Sequence, residues 1–201
     1  MELSIGEQAK GTRIIYGDEA KKRRLVLNNL ISIAEQNGYS EIDLPIVELS
    51  KIYTDKAGSE VLNQMYIFND KGDRELCLRP EGTATVQLLA DKYWKEQRDV
   101  KLWYFTRCYR YERPQAGRYR EFFQFGVEII NPRSETIQDE LITLAKTMID
   151  TVTDEYEVFS SVKRGLNYYT DNGFEISSEK LGAQKQICGG GKYKQGIGFA
   201  I

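Results

Sequence analysis

Apolar and polar positions repeat at two periods along the 201 residues, and the change of period marks the elements. Over residues 18–37, Leu27, Leu30, Ile31 and Ala34 fall at i, i+3, i+4 and i+7, one face of a helix, and Gly38 follows as a stop. Val86, Leu89, Ala90, Tyr93 and Trp94 repeat that stripe after Thr83. Leu141, Leu144, Ala145, Met148, Ile149 and Val152 mark a third helix starting at about Thr136. Residues 39–49 read as one strand, with Pro45 demoting it to an edge or a bulge. Residues 65–68 and 75–78 flank Asn69-Asp70-Lys71-Gly72-Asp73, which predicts a hairpin. Residues 157–162 read as a further short strand. Residues 52–58 suit a short helix, and the polar stretch 1–10 a loose or capping arm.

The stretch from Leu102 to Glu128 organises the rest. Alternation from Leu102 and Tyr104 through Tyr109 and Tyr111 predicts a half-buried strand. Pro114 cannot donate a ladder hydrogen bond and should end it. Gln115-Ala116-Gly117 is turn material, and residues 122–128 return as a second strand. With a period of two, Phe122, Gln124, Gly126 and Glu128 share one face, and Arg110 and Glu112 share a face of the outgoing strand. Charges alternating on a strand usually mark its wet face, with cross-strand pairs of small energy. A guanidinium, a carboxylate, an aromatic ring and an amide on one hairpin also suit the floor of an anion site. Arginine forks match phosphate oxygens, and Phe122 offers a flat surface to a base.

Net charge is −2, which does not demand nucleic acid as a partner. Histidine is absent, so no imidazole of this chain acts as base or metal ligand. Cys77, Cys108 and Cys188 lack CxxC spacing, which argues against a disulfide framework or a zinc site and fits a reducing compartment. No apolar run approaches membrane-spanning length, and no signal core opens the chain. A cytoplasmic location and no membrane partner are expected. Without repeats or low-complexity linkers, residues 1–201 are expected to form a single domain.

Word for word, YRYERPQAGRYREFFQFGVE resembles motif 2 of the class II aminoacyl-tRNA synthetases, in its histidyl-tRNA synthetase form. Residues 79–83, Arg-Pro-Glu-Gly-Thr, are similar to a second element of that family. Arg164-Gly165-Leu166-Asn167-Tyr168-Tyr169-Thr170 resembles its histidine signature, with Asn167 where Asp is usual. Residues 186–193 resemble its Gly-rich strand, and the helix and strand before Leu49 its motif 1. The resemblance implies an α+β fold, a mainly antiparallel sheet of about six strands flanked by helices. It implies a core that binds histidine and ATP with Mg²⁺ and forms histidyl-adenylate. Arg110 and Arg164 would act at the α-phosphate. Glu112 and Phe122 would hold adenine, and Arg118 the outer phosphates. Glu81, Thr83 and Gln124 would hold the α-amino group. Glu128 and Tyr168 would bind the imidazole, with Tyr169 shaping the pocket. Motif 1 implies a homodimer. The family's insertion and anticodon-binding domains are expected to be absent, and residues 196–201 resemble the strand that opens motif 3 without its Arg. Slow adenylation and weak or no tRNA charging are the expectation. The alternatives are a non-catalytic histidine-binding relative, such as an ATP phosphoribosyltransferase regulatory subunit, and aminoacylation of an acceptor other than tRNA.

Overall fold

The chain is described from a computed structural model over residues 8–54, 59–115, 117–163, 165–181 and 185–201, without the side chains of Ser59 and Glu60. Most of the expected N-terminal arm and the second half of the helix expected at 52–58 lie outside the described residues. Helix α1 (Gly17–Gln36) ends as its sequence predicts. Asn37 closes it, and Gly38 takes a φ of 81°, a backbone conformation that glycine adopts without strain.

The strand expected over 39–49 is two strands in two different sheets. Strand β1 (Ser40–Glu41) and strand β2 (Val47–Leu49) are separated by the segment holding Pro45. The short helices α2 (Lys51–Thr54) and α3 (Ser59–Leu62) follow. The expected hairpin is β3 (Tyr66–Asn69) and β4 (Glu75–Leu78). Its turn is held by Asp70, whose carboxylate accepts from the Gly72 and Arg74 amides. Helix α4 (Thr83–Tyr93) leads to the long strands β5 (Val100–Tyr109) and β6 (Glu121–Ile130). Helix α5 (Ile137–Ile149) stops before Val152, which is exposed and outside the stripe the sequence suggested. Strands β7 (Glu157–Val162), β8 (Gly173–Ser177), β9 (Gln186–Tyr193) and β10 (Gly196–Ala200) complete the order.

The main sheet has seven strands, in the order β1-β5-β6-β10-β9-β8-β7. Its pairs are antiparallel except β1 with β5, which are parallel. Strands β2, β4 and β3 form a separate three-stranded antiparallel sheet that the sequence did not announce. No helix among the described residues is long and apolar enough to cross a membrane.

Strand β5 is buried on both faces rather than one. Trp103 faces α1 and α5 in a core with Phe125, Val127, Ile129, Leu141 and Met148. Trp103 and Phe125 stack at 5.6 Å, and truncating either costs about 3–5 kcal/mol. Leu102 and Tyr104 face the other way, toward Val86 and Ala90 of α4. The alternation reads as half-buried because the second face carries Tyr and Thr, which are polar only at their tips. The strand also ends two residues early, at Tyr109. The Tyr111 amide leaves the ladder to donate to the Gln64 carbonyl at 2.7 Å. Arg110 and Glu112 therefore stand on the connection between the strands, not on a shared strand face.

Candidate active site

The site lies where the start of α4, the β5–β6 connection and the segment between β7 and β8 converge. They enclose a cavity of about 490 Å³. Of the side chains named from sequence, Glu81, Thr83, Arg110, Glu112, Arg118, Phe122, Gln124, Tyr168 and Tyr169 all line it. Glu128 does not, and Arg164 lies outside the described residues.

The turn before α4 is built around Glu81. The Glu81 carboxylate caps the helix. It accepts from the Thr83 amide at 2.7 Å and the Ala84 amide at 2.9 Å. An acidic side chain over the first turn also meets the positive end of the helix. Thr83 is free to turn inward, and its hydroxyl donates to Glu128 Oε1 at 2.7 Å. Tyr193 donates to Glu128 Oε2 at 2.8 Å. Glu128 is fully buried, and burial drives its carboxyl up to about 8 despite those two donors. Burial also raises Glu81, opposed by its two amide donors and the Arg110 charge. Gln124 Oε1 accepts from the Gly82 amide at 3.1 Å, locking the turn onto β6.

Tyr104 fills the space between Gly82 and Gly126. A Cβ at either glycine would fall inside its ring. The Gly-rich strand does a similar job. Gly189 lines the cavity, whereas a Cβ on Gly191 would meet the Tyr169 ring. These glycines admit protein side chains as well as leaving open space.

Two arginines also line the cavity. Arg110 Nε donates to the Pro80 carbonyl at 2.9 Å, and its guanidinium lies 5.2 Å from the centre of the Phe122 ring. Arg118 Nε lies 2.7 Å from Glu112 Oε2 without the alignment of a hydrogen bond, an electrostatic contact between a part-exposed guanidinium and a nearly buried carboxylate. Lys163 and Glu175 add one charge of each sign to the lining. Sequence reasoning did not single out Lys163, Glu175, Tyr104 or Tyr193. The available signal for Tyr193 was the period of two through Gly189, Gly191 and Tyr193, which places it on the site face of β9.

A mostly antiparallel sheet backed by helices, with motif 2 spanning two of its central strands, is the architecture of a class II aminoacyl-tRNA synthetase core. The chain belongs to the histidyl-tRNA synthetase family, whose sequence profile matches residues 11–160. A histidine–tRNA ligase of Archaeoglobus fulgidus is 30% identical over 284 aligned positions, covering 94% of this chain and 69% of the relative. That alignment is longer than the chain itself, so the relative carries inserted sequence that this chain lacks. A histidine–tRNA ligase of Methanococcus maripaludis is 35% identical, and there the chain spans 43% of the relative's length. The crystal structure of apo S. aureus histidyl-tRNA synthetase superposes with a TM-score of 0.80 at 26% identity, covering 98% of this chain and 68% of that one.

Proposed function

We propose that the cavity binds histidine and ATP and joins them as histidyl-adenylate. The observation that carries the reading is that one cavity brings together acceptors suited to an ammonium and donors suited to phosphates. Glu81 and Gln124 line it with acceptor oxygens. Arg110 and Arg118 line it with guanidinium donors, Arg110 near enough for its charge to act on Glu81. The histidine carboxylate attacks the α-phosphate, a C–O–P bond forms, the bond to the β-phosphate breaks, and pyrophosphate leaves. The protein's work is to orient the two reactants and neutralise charge as it develops. Arg110, and Arg164 by resemblance, supply that neutralisation. Phe122 stacks on adenine, Glu112 reads its edge, and Arg118 takes the outer phosphates. Tyr168 reaches the imidazole directly, whereas Glu128 acts from behind Thr83. Mg²⁺ would be held mainly by the ATP phosphates, where it would help neutralise charge, and Glu175 is a lining carboxylate of the right chemistry to add a ligand.

The test is histidine-dependent exchange of labelled pyrophosphate into ATP, with Arg110→Ala beside wild type. Loss of one preorganised donor of this kind typically lowers the rate by about 10²–10³. Histidine binding without exchange would make the chain a histidine-binding module instead. A panel of amino acids in calorimetry tests specificity, and equal or absent heats would remove the pocket assignment.

A homodimer is part of the same proposal. One face of the small sheet carries Val47, Leu49, Tyr66, Phe68, Leu76 and Leu78, by the registers of its two ladders. Val47, Leu49 and Phe68 are each at least 40% exposed, an apolar face suited to a self-complementary contact about a two-fold axis.

A further inference from the structure

We infer that Arg79 is a positioning residue for adenylate formation, aiming Arg110 through the carbonyl of Pro80. This rests on the reading that Arg110 acts at the α-phosphate.

Arg79 follows β4 and is fully buried. Among the described residues no carboxylate lies within ion-pair distance of it. Its main partners are backbone carbonyls, with the Cys108 thiol beside it and the Glu48 carboxylate within electrostatic reach. Nη1 donates to Leu44 O at 2.7 Å and also to Pro45 O, and Nη2 donates to Arg107 O at 2.9 Å. Its own amide donates to Ile46 O, and its own carbonyl accepts from the Tyr109 amide, each at 2.9 Å. A buried cation with no carboxylate in direct contact is costly, so its retention needs good hydrogen bonds. The planar guanidinium supplies them in fixed directions, which an ammonium does not.

Three segments meet on this one side chain: the crossing between the two sheets at Leu44 and Pro45, the end of β4, and the last residues of β5. Two of them lead directly into the site. Pro80 follows Arg79, and its ring fixes one of the two torsions that aim the peptide. Arg110 follows Tyr109, which Arg79 pins, and returns a hydrogen bond from Nε to Pro80 O at 2.9 Å. The result is a reciprocal clasp: residue 79 holds 107 and 109, and 110 holds 80. With Nε committed to Pro80, the Nη groups of Arg110 are left for the cavity, with the guanidinium beside the Phe122 ring.

Arg79→Lys keeps the charge and loses the fork. The first readout is solvent exchange of the Arg110 Nε–H in an arginine-selective nitrogen–proton spectrum, assigned with Arg110→Lys. Its exchange should quicken by about 5–10-fold, the loss of roughly one net hydrogen bond. The second readout is pyrophosphate exchange, normalised to folded sites by histidine titration. The rate per site should fall by about tenfold or more, since misplacement of about 1 Å can cost 10²-fold, while the KM for histidine changes by less than about twofold. A merely structural Arg79 would lower the melting temperature and the number of sites, and leave both the Arg110 exchange and the rate per site at wild-type values. That result overturns the inference. If wild type shows no pyrophosphate exchange, the proposed function fails, and the Arg110 Nε–H still decides the role of Arg79. If Arg79→Lys does not fold, Pro80→Ala, which keeps the carbonyl and frees its torsion, carries the same two readouts in the same direction.

Discussion

The Thr83 hydroxyl donates to Glu128 Oε1 at 2.7 Å, and that bond joins the cavity wall to a carboxyl hidden behind it. Thr83 can face inward only because Glu81 caps α4 in its place. The first-turn amides thus set the direction of a side chain in the site.

Glu128 should make the free protein less stable as pH rises. Its carboxyl is raised from 4.5 to about 8 in the fold, so between those values the unfolded chain releases a proton that the folded chain keeps. The stabilisation is fully present below about 4.5 and is lost as pH climbs through about 8. Glu128→Gln removes this titration and should flatten the fall. A residual slope of the same sign belongs to Glu81, which burial also raises. Melting temperatures of both proteins between pH 5 and pH 8 are the measurement, and parallel curves would refute the assignment. The same variant should weaken histidine binding more than ATP binding.

Gly126→Ala should destabilise the fold through Tyr104. A Cβ there would overlap the ring, and forcing extra volume into a packed core costs about 1–3 kcal/mol. Tyr104→Val opens the space, so the double variant should lose clearly less than the sum of the two singles. Denaturant midpoints of all four proteins close that cycle. Additive losses would mean that Tyr104 does not fill the gap.

Phe122→Ala should weaken ATP and spare histidine. Stacking of a base on an aromatic ring is worth about 1–3 kcal/mol by alanine substitution. Phe122 also holds the Arg110 guanidinium at 5.2 Å, so a smaller fall in the exchange rate should accompany the loss. Calorimetric titration with each ligand separates the two effects. An equal loss for histidine would place the ring in the amino-acid pocket instead.

Leu49→Asp should convert a dimer into monomers. Leu49 is 48% exposed on the outer face of the small sheet, and a buried unpaired carboxylate in an apolar contact is strongly unfavourable. Light scattering at micromolar concentration reads the outcome. Wild type and variant of equal mass would move the contact elsewhere or remove it.

Much of this protein is written locally. The periods of α1, α4 and α5, the β3–β4 turn and the short strand β7 are legible because each depends on neighbours within a few residues, whereas β8, β9 and β10 are legible only through the family's motifs. The site residues are legible as whole motifs, since catalytic groups must arrive in a set order on a strand, a turn or a helix start. What tertiary structure decided is which partner each group found. Residues 39–49 read as one strand, yet β1 pairs with Leu102 and Trp103 while β2 pairs with Leu76 to Leu78. The Arg79 fork reaches carbonyls of Leu44 and Arg107, and no spacing in Arg-Pro-Glu-Gly-Thr announces either. Glu128 shares a strand face with Phe122 and Gln124 by period, yet it lies one layer behind them, covered by Thr83 and Tyr193. Periodicity states which way a side chain points. Only distant segments, folded against it, determine whether it meets water, a ligand or a hydroxyl that seals it in, and so how far its carboxyl departs from the usual range.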